Sequence, residues 1–154
     1  MGIIDEIRSR AAKNPKKIVL PESDDPRTLE ALDYILDNKI AEIILIGRED
    51  VRSKIKSKNL RDVEIIDPVK YGNIESIANE YYELRKGKGM SLEEAGMAVR
   101  EEWVIFGAML VRRDLADGFV AGANHTTADT VRAGLRCLTI DKEMAVVAGA
   151  FLME

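Results

Sequence analysis

The chain has 154 residues, of which 46% are hydrophobic and 32% charged, a composition typical of one globular domain large enough to bury a core. A formal net charge of -4 argues against general nucleic-acid binding, which normally requires a basic face. The single cysteine, Cys137, excludes an intrachain disulfide and a zinc site built from several thiolates, and its apolar neighbours predict a buried, unreactive thiol. No apolar run approaches the roughly twenty residues that a membrane span needs, and the acidic start is unlike a signal peptide, so we expect a cytoplasmic protein.

The first half of the chain alternates helices with short apolar strands. Ile3, Ile4 and Ile7 predict a short amphipathic helix that ends at Asn14-Pro15. This rhythm of strand and helix predicts a parallel sheet with right-handed crossovers. The predicted strands cover residues 17–20, 42–46 and 63–66, and the predicted helices cover residues 27–38 and, as a short basic helix, 48–57.

An acidic loop follows the first predicted strand. Glu22, Asp24 and Asp25 lie just before the helix of residues 27–38. Carboxylates in this position are possible metal ligands, but they also cap a helix and match its dipole. We therefore expect capping and no metal site.

Three helices are predicted in the middle of the chain. The first covers residues 74–88, the second starts after a capping sequence at Ser91, and the third covers residues 103–113. Arg85 lies near the end of the first of them. Its charge fits either a favourable interaction with the helix C-terminus or the binding of an anion, and the pattern leaves both open.

The segment from Ala116 to Arg136 has the pattern of a strand, a turn and a helix. An apolar strand at residues 117–121 ends at Gly122, and Thr126 or Thr127 then fits a helix N-cap. A helix that begins there and carries Arg132 and Arg136 is a possible oxyanion site, although capping residues and solvated arginines explain the pattern equally well. His125, the only histidine, is a possible base or a structural residue of the loop.

The chain ends on an apolar run at residues 144–152, which predicts a strand. A small sheet domain seldom ends on an apolar strand that no other element covers. We therefore expect a truncated chain, with an α/β lobe at residues 1–143 and, at residues 144–154, the first strand of a second lobe that is otherwise absent.

Several segments, in order and spacing, resemble the phosphate acetyl/butyryl transferases, and among them the phosphate acetyltransferases. The likeness runs from about Lys16 to the C-terminus. The matching segments are KIVLPESDDPRTLEAL, AEIILIGRED, VEIIDP, YYELRKGKGMSLEEA, FGAMLVRRDLADGFVAG and NHTTADTVRAGL.

The resemblance implies a fold and a reaction. The fold would be a three-layer αβα lobe with a mainly parallel sheet, like the first of the two lobes of such enzymes. The reaction would exchange an acetyl group between coenzyme A and phosphate, with coenzyme A as a substrate and no permanently bound cofactor. Arg85 and Arg132 would neutralise substrate anions, Thr126 and Thr127 would lie beside the phosphate, and His125 would lie near the cleft.

The sequence also departs from the family. Members often read SGAVHSTADTVRP, where this chain has Ala121, Thr126 and Ala133 in place of the two serines and the proline. Members are also roughly twice as long, and the residues credited with activating the coenzyme A thiol lie in their second half. The resemblance therefore implies no catalytic residue in this chain, and a dependence on a C-terminal lobe or a partner chain.

Two other interpretations remain open at this point. The same domain occurs as an appendage of some malic enzymes, so the chain could be a regulatory lobe that binds acetyl-CoA or phosphate without catalysis. It could also be a folded remnant whose exposed final strand drives self-association, and we expect a homo-oligomer on that ground.

Overall fold

A computed structural model describes residues 2–138 together with Val147 and Gly149. Its centre is a four-stranded parallel sheet in the order β3-β2-β1-β4. The predicted parallel α/β fold is therefore confirmed. The strands are β1 (Lys16–Leu20), β2 (Ala41–Ile46), β3 (Val63–Ile66) and β4 (Gly118–Phe119), and the α-helices are α1 (Ile3–Lys13), α2 (Pro26–Asp37), α3 (Ile74–Arg85), α4 (Leu92–Glu101), α5 (Trp103–Arg112) and α6 (Thr127–Cys137).

The sheet is covered on both faces, which gives the three predicted layers. Alternate residues of β2 point to opposite faces, since Ile43 and Leu45 pack with α2 whereas Ile44 and Ile46 pack with α3 to α6. The thicker layer contains the fully buried Tyr81, Phe106 and Met109. Helix α5 approaches β1 closely at Gly107, where an added Cβ would lie 3.0 Å from Val19 Cγ1.

The connection between β2 and β3 differs from the prediction. The predicted short basic helix at residues 48–57 is present as a shorter 3₁₀ helix at Glu49–Lys54, and a second 3₁₀ turn follows at Leu60–Asp62. The backbone is already extended at Ile55, and the N–H groups of Lys56 and Ser57 donate to Asp33 Oδ1, both at 2.8 Å. A side chain of α2 thus binds the donors that a longer helix would use internally.

The strand β4 is shorter than the predicted residues 117–121. Backbone hydrogen bonds from Asp117 to Lys17 and from Val120 to Val19 extend the pairing on either side of it. Beyond Val120 the backbone N–H groups turn away from β1 toward a buried side chain, so the ladder ends there. Gly122 has φ +122, a conformation that L side chains rarely adopt, which confirms the predicted sharp turn.

The predicted strand at residues 144–152, and with it the boundary proposed at residue 143, lies outside the described residues. In the part of the chain that the structure describes, no helix combines the length and hydropathy needed to cross a membrane. Helix α1 packs loosely, with no buried residue, and Ile3 is 48% exposed.

Candidate functional site at the carboxyl edge of the sheet

The loop between β4 and α6 surrounds the carboxylate of Glu22, which follows β1. Backbone N–H groups of Gly122 and Ala123 donate to Oε2 at 2.8 and 2.9 Å, and those of Asn124 and His125 donate to Oε1 at 2.8 and 3.0 Å. The His125 ring nitrogen Nδ1 lies 2.8 Å from Oε1. The predicted oxyanion-binding turn therefore already contains an anion, and that anion belongs to the chain.

Glu22 is ionised in this setting despite its burial. Its side chain is only 3% exposed, and burial by itself opposes ionisation. The hydrogen bonds from the His125 side chain and from the N–H groups of Ala123, Asn124 and Gly122 outweigh that effect and lower the pKa of Glu22 from 4.5 to about 2.

The acidic loop after β1 contacts the same segment at further points. Asp25 caps α2 by accepting from the Arg27 N–H at 2.8 Å, as predicted. The Arg27 guanidinium donates to the Ala123 carbonyl at 2.5 Å, and Asn124 Nδ2 donates to Asp24 Oδ1 at 3.1 Å. The prediction that helix capping explains all three acids is therefore wrong for Glu22. Among the described residues, no group of three or more histidine, cysteine, aspartate or glutamate side chains is arranged to hold a metal ion.

Helix α6 begins in a capping box. Thr126 is the N-cap, its Oγ1 accepts from the Asp129 N–H at 3.2 Å, and the same hydroxyl donates to Asp129 Oδ2 at 2.6 Å. These bonds, together with Arg132 at 2.6 Å from Asp129 Oδ1, lower the pKa of Asp129. The Thr126 hydroxyl thus stabilises the helix start, whereas Thr127 has no side-chain hydrogen bond within residues 2–138.

The ring of His125 lies at the border of a cavity. Its side chain is 39% exposed, and only Nδ1 is hydrogen bonded among the described residues. The cavity has a volume of about 470 Å³. Its lining also contains Trp103, two arginines and three acids, namely Arg48, Arg100, Asp24, Asp67 and Glu101.

Arg85 lies in a different environment from the other candidates. It lines a second cavity of about 470 Å³, and the other charged residues of that lining are two cations, Lys88 and Arg136, and three acids, Glu94, Glu101 and Glu102. Its Nε atom and the hydroxyl of Tyr81 are buried without a hydrogen-bond partner in the described part of the chain. A buried polar nitrogen is usually hydrogen bonded, so Arg85 has a donor that the described residues leave unused.

The structure thus brings four of the five predicted site residues together. His125, Thr126, Thr127 and Arg132 lie within one loop and the first turns of α6. His125 lines the first cavity and Arg85, with Arg136 of α6, lines the second, whereas Thr126, Thr127 and Arg132 line neither of these two cavities. Cys137 is buried, as predicted, and burial raises its pKa to about 12, so the thiol stays protonated.

Glu22 is the residue that sequence reasoning assigned to the wrong role. It and the loop it binds are separated by about a hundred positions, so no local pattern joins them. The signal that could have connected them is topological. Both segments directly follow parallel strands, and if β1 and β4 are neighbours, their carboxyl ends meet at one edge of the sheet.

Comparison with known proteins places these features in a family. The family model described as phosphate acetyl/butaryl transferase matches residues 2–154. The phosphate acetyltransferase of Thermoanaerobacterium thermosaccharolyticum is 40% identical over 155 residues, which is 100% of this chain and 47% of that enzyme. The phosphate acetyltransferase of Bacillus subtilis is 38% identical over 154 residues, covering 98% of this chain and 47% of that enzyme.

Solved structures show the same similarity. A phosphotransacetylase from Streptococcus pyogenes matches with a TM-score of 0.83 and 34% identity, covering 95% of this chain and 46% of that chain. The EutD phosphotransacetylase from Staphylococcus aureus matches with a TM-score of 0.77 and 30% identity, covering 93% of this chain and 44% of that chain. This chain spans about half the length of the relatives it matches. It belongs to the phosphate acetyl/butaryl transferase family.

Proposed function

We propose that the chain is the N-terminal lobe of a phosphate acetyltransferase, which converts acetyl-CoA and phosphate into acetyl phosphate and coenzyme A. The observation that carries this proposal is the start of α6 at the carboxyl edge of a parallel sheet, where α/β proteins bind their ligands. Coenzyme A would be a substrate rather than a bound cofactor. The chain would contribute substrate binding, and a C-terminal lobe or partner chain would contribute the groups that activate the thiol.

Different site residues would bind different parts of the substrate. Thr126 would fix the start of α6, where Thr127 and Arg132 would bind the phosphoryl group, with His125 beside them. Arg132 is 53% exposed and, among the residues that the structure describes, forms an ion pair with Asp129 alone, so exchanging that partner for a phosphate costs little. Arg85 would bind a second anionic part of the substrate in the cavity that it lines.

Phosphate titration of the 154-residue chain and of Arg132→Gln tests this site. We expect weak saturable binding to the parent chain and about tenfold weaker binding to the variant, because a hydrogen bond to a charged group contributes about 1.5 to 3 kcal/mol. Arg52→Gln is the matched control, since Arg52 forms a similar exposed pair three residues from Glu49. Equal losses of phosphate affinity in both variants would mean that the effect comes from net charge alone, and they would contradict the proposed phosphate site.

The division of labour between lobes is tested by turnover. We expect the isolated chain to show no acetyl exchange between coenzyme A and phosphate at ordinary enzyme rates, because binding groups without a thiol base supply only part of the catalysis. Full activity of the purified chain would overturn this part of the proposal. Acetyl-CoA binding that is tight and indifferent to phosphate would favour the regulatory lobe instead.

We further propose a cytoplasmic homo-oligomer. An association surface is available in α1, since Ile3, Ile4 and Ile7 are 48%, 38% and 44% exposed along one helix. Light scattering of the 154-residue chain tests this point, and a monomer at all concentrations would contradict it.

A further inference from the structure

The contact between Glu22 and His125 determines more than the shape of a loop. A carboxylate that is ionised can only accept hydrogen bonds, and the pKa of Glu22 is lowered to about 2. The His125 Nδ1 at 2.8 Å from Oε1 must therefore carry a hydrogen whether the ring is neutral or charged. The Glu22 side chain is 3% exposed, so water has little access to it and does not replace His125 as the hydrogen-bond donor.

The other ring nitrogen is then the chemically available one. With Nδ1 donating to Glu22, the Nε2 atom of a neutral ring carries the lone pair, and that of a protonated ring carries a hydrogen. Among the described residues Nε2 has no hydrogen bond, and the ring borders the cavity, whose charged lining consists of two arginines, Arg48 and Arg100, and three acids, Asp24, Asp67 and Glu101. Nε2 can thus accept from a protonated phosphoryl oxygen or donate to an unprotonated one.

The contact between Glu22 and the loop also affects which groups an external anion can bind. The four loop N–H groups that an oxyanion would otherwise use are bonded to Glu22. These four N–H groups are therefore not available to an external anion, which leaves His125 and the start of α6 as the neighbouring groups that could bind one.

We propose that Glu22 is a positioning residue for substrate binding, which fixes His125 as the Nδ1–H tautomer so that Nε2 contacts the phosphoryl group of phosphate or an acyl phosphate. This inference rests on the proposed function, because it assigns an atom to the phosphate site described there. Glu22 itself does not touch the substrate.

Because the chain contains one histidine, its ring nitrogens can be measured directly. Long-range ¹H–¹⁵N correlation spectra of the labelled 154-residue chain are recorded without ligand and during titration with inorganic phosphate. We expect an Nδ1–H tautomer in the free chain, and a phosphate-induced shift that is larger at Nε2 than at Nδ1. A free chain with the hydrogen on Nε2 would overturn the proposal without reference to any ligand.

Two variants separate positioning from a merely structural role. In Glu22→Gln the amide cannot accept all the bonds, so we expect mixed tautomers and phosphate binding weakened about five- to tenfold, the loss of about one hydrogen bond. Asp33→Asn is the control, since Asp33 also braces a loop through two backbone N–H groups but does not contact His125. Its tautomer should be unchanged, and a folded Glu22→Gln chain with an unchanged tautomer would contradict the proposal.

The proposal remains testable if Glu22→Gln does not fold. In His125→Asn the amide replaces Nδ1 as donor to Glu22 but nothing replaces Nε2, so we expect a folded chain with about fivefold weaker phosphate binding. Unchanged binding would overturn the role of Nε2. If phosphate shifts the Thr127 amide but not Nε2, this inference fails while the proposed function stands, and if phosphate shifts no resonance, the proposed phosphate site fails.

Discussion

The two regions that carry the candidate residues differ in how their polar groups are satisfied. Around Glu22, five donors from the β4–α6 loop reach one buried carboxylate, and the loop is complete without a ligand. Around Arg85, the Nε atom is buried and unpaired, and neither Arg85 nor Arg136 forms an ion pair with a residue that the structure describes. The first region is preformed, whereas in the second a buried nitrogen of Arg85 has no partner among the described residues, although Glu94, Glu101 and Glu102 line the same cavity. Mutations in the first region should therefore change stability as well as phosphate binding, whereas mutations in the second should change mainly binding.

The largest effect is expected from Glu22→Ala. Removing the carboxylate leaves the buried loop donors without an acceptor, and breaking a buried charged contact of this kind costs about 3 to 5 kcal/mol. Urea denaturation should show that loss in the free energy of unfolding. A loss below about 1 kcal/mol, the net value of an ordinary hydrogen bond, would mean that the loop is not held by Glu22.

Lowering the pH should remove the contribution of ionised Glu22 to the free energy of unfolding. The folded-state pKa of Glu22 is depressed, so its contribution is complete above the ordinary value of 4.5 and is lost as pH falls through about 2. At about 1.4 kcal/mol per pH unit the contribution amounts to about 3 kcal/mol. Unfolding free energies of the parent chain and Glu22→Gln should therefore converge between pH 4.5 and 2, and a constant difference across that range would contradict the assignment.

A smaller effect is expected from Gly122→Ala. A Cβ at this position would meet nothing within 4 Å, so the cost comes from the backbone, which has φ +122. Strained conformations of this kind cost about 1 to 3 kcal/mol. Gly134→Ala is the control, because Gly134 also has open space but lies inside α6, where alanine is favoured. Equal stability changes in the two variants would show that the turn does not depend on its conformation.

The smallest effect on stability is expected at Arg85. In Arg85→Gln the free energy of unfolding should change by less than about 0.5 kcal/mol, because no ion pair is lost. Binding of acetyl-CoA should nevertheless weaken about tenfold, the value of one charge-assisted hydrogen bond. Isothermal titration and urea denaturation on the same samples check both parts, and a large loss of stability would show that Arg85 is a structural residue.

Whether a feature could be predicted from the sequence depends on how far apart in the chain the interacting residues lie. Local signals were sufficient for the strand at residues 63–66 and the capping box at Ser91, and they narrowed the N-cap of α6 to Thr126 or Thr127, because each depends on neighbours within a few positions. The basic helix after β2 was predicted too long, because Asp33, on another element, binds the backbone of Lys56 and Ser57.

The site was predicted only in part for the same reason. Contiguity sufficed to group His125, Thr126 and Thr127, since they are adjacent in the chain. To predict the role of Glu22, one would have to know that β1 and β4 are neighbours in the sheet, and no local sequence pattern contains that information. The separation of Arg85 from Arg132 depends on how α3 packs against α6, and packing of that kind is set by whole helix faces rather than by single residues.

The internal carboxylate also affects the energetics of association. Ordering a residue of a flexible loop costs about 1 to 2 kcal/mol, and a ligand that had to order residues 122–125 would lose that much affinity for each of them. Because Glu22 orders the loop while the chain folds, that entropy is already lost before any substrate arrives. Substrate binding at the start of α6 should consequently proceed as a single diffusive step, with an association rate independent of loop motion.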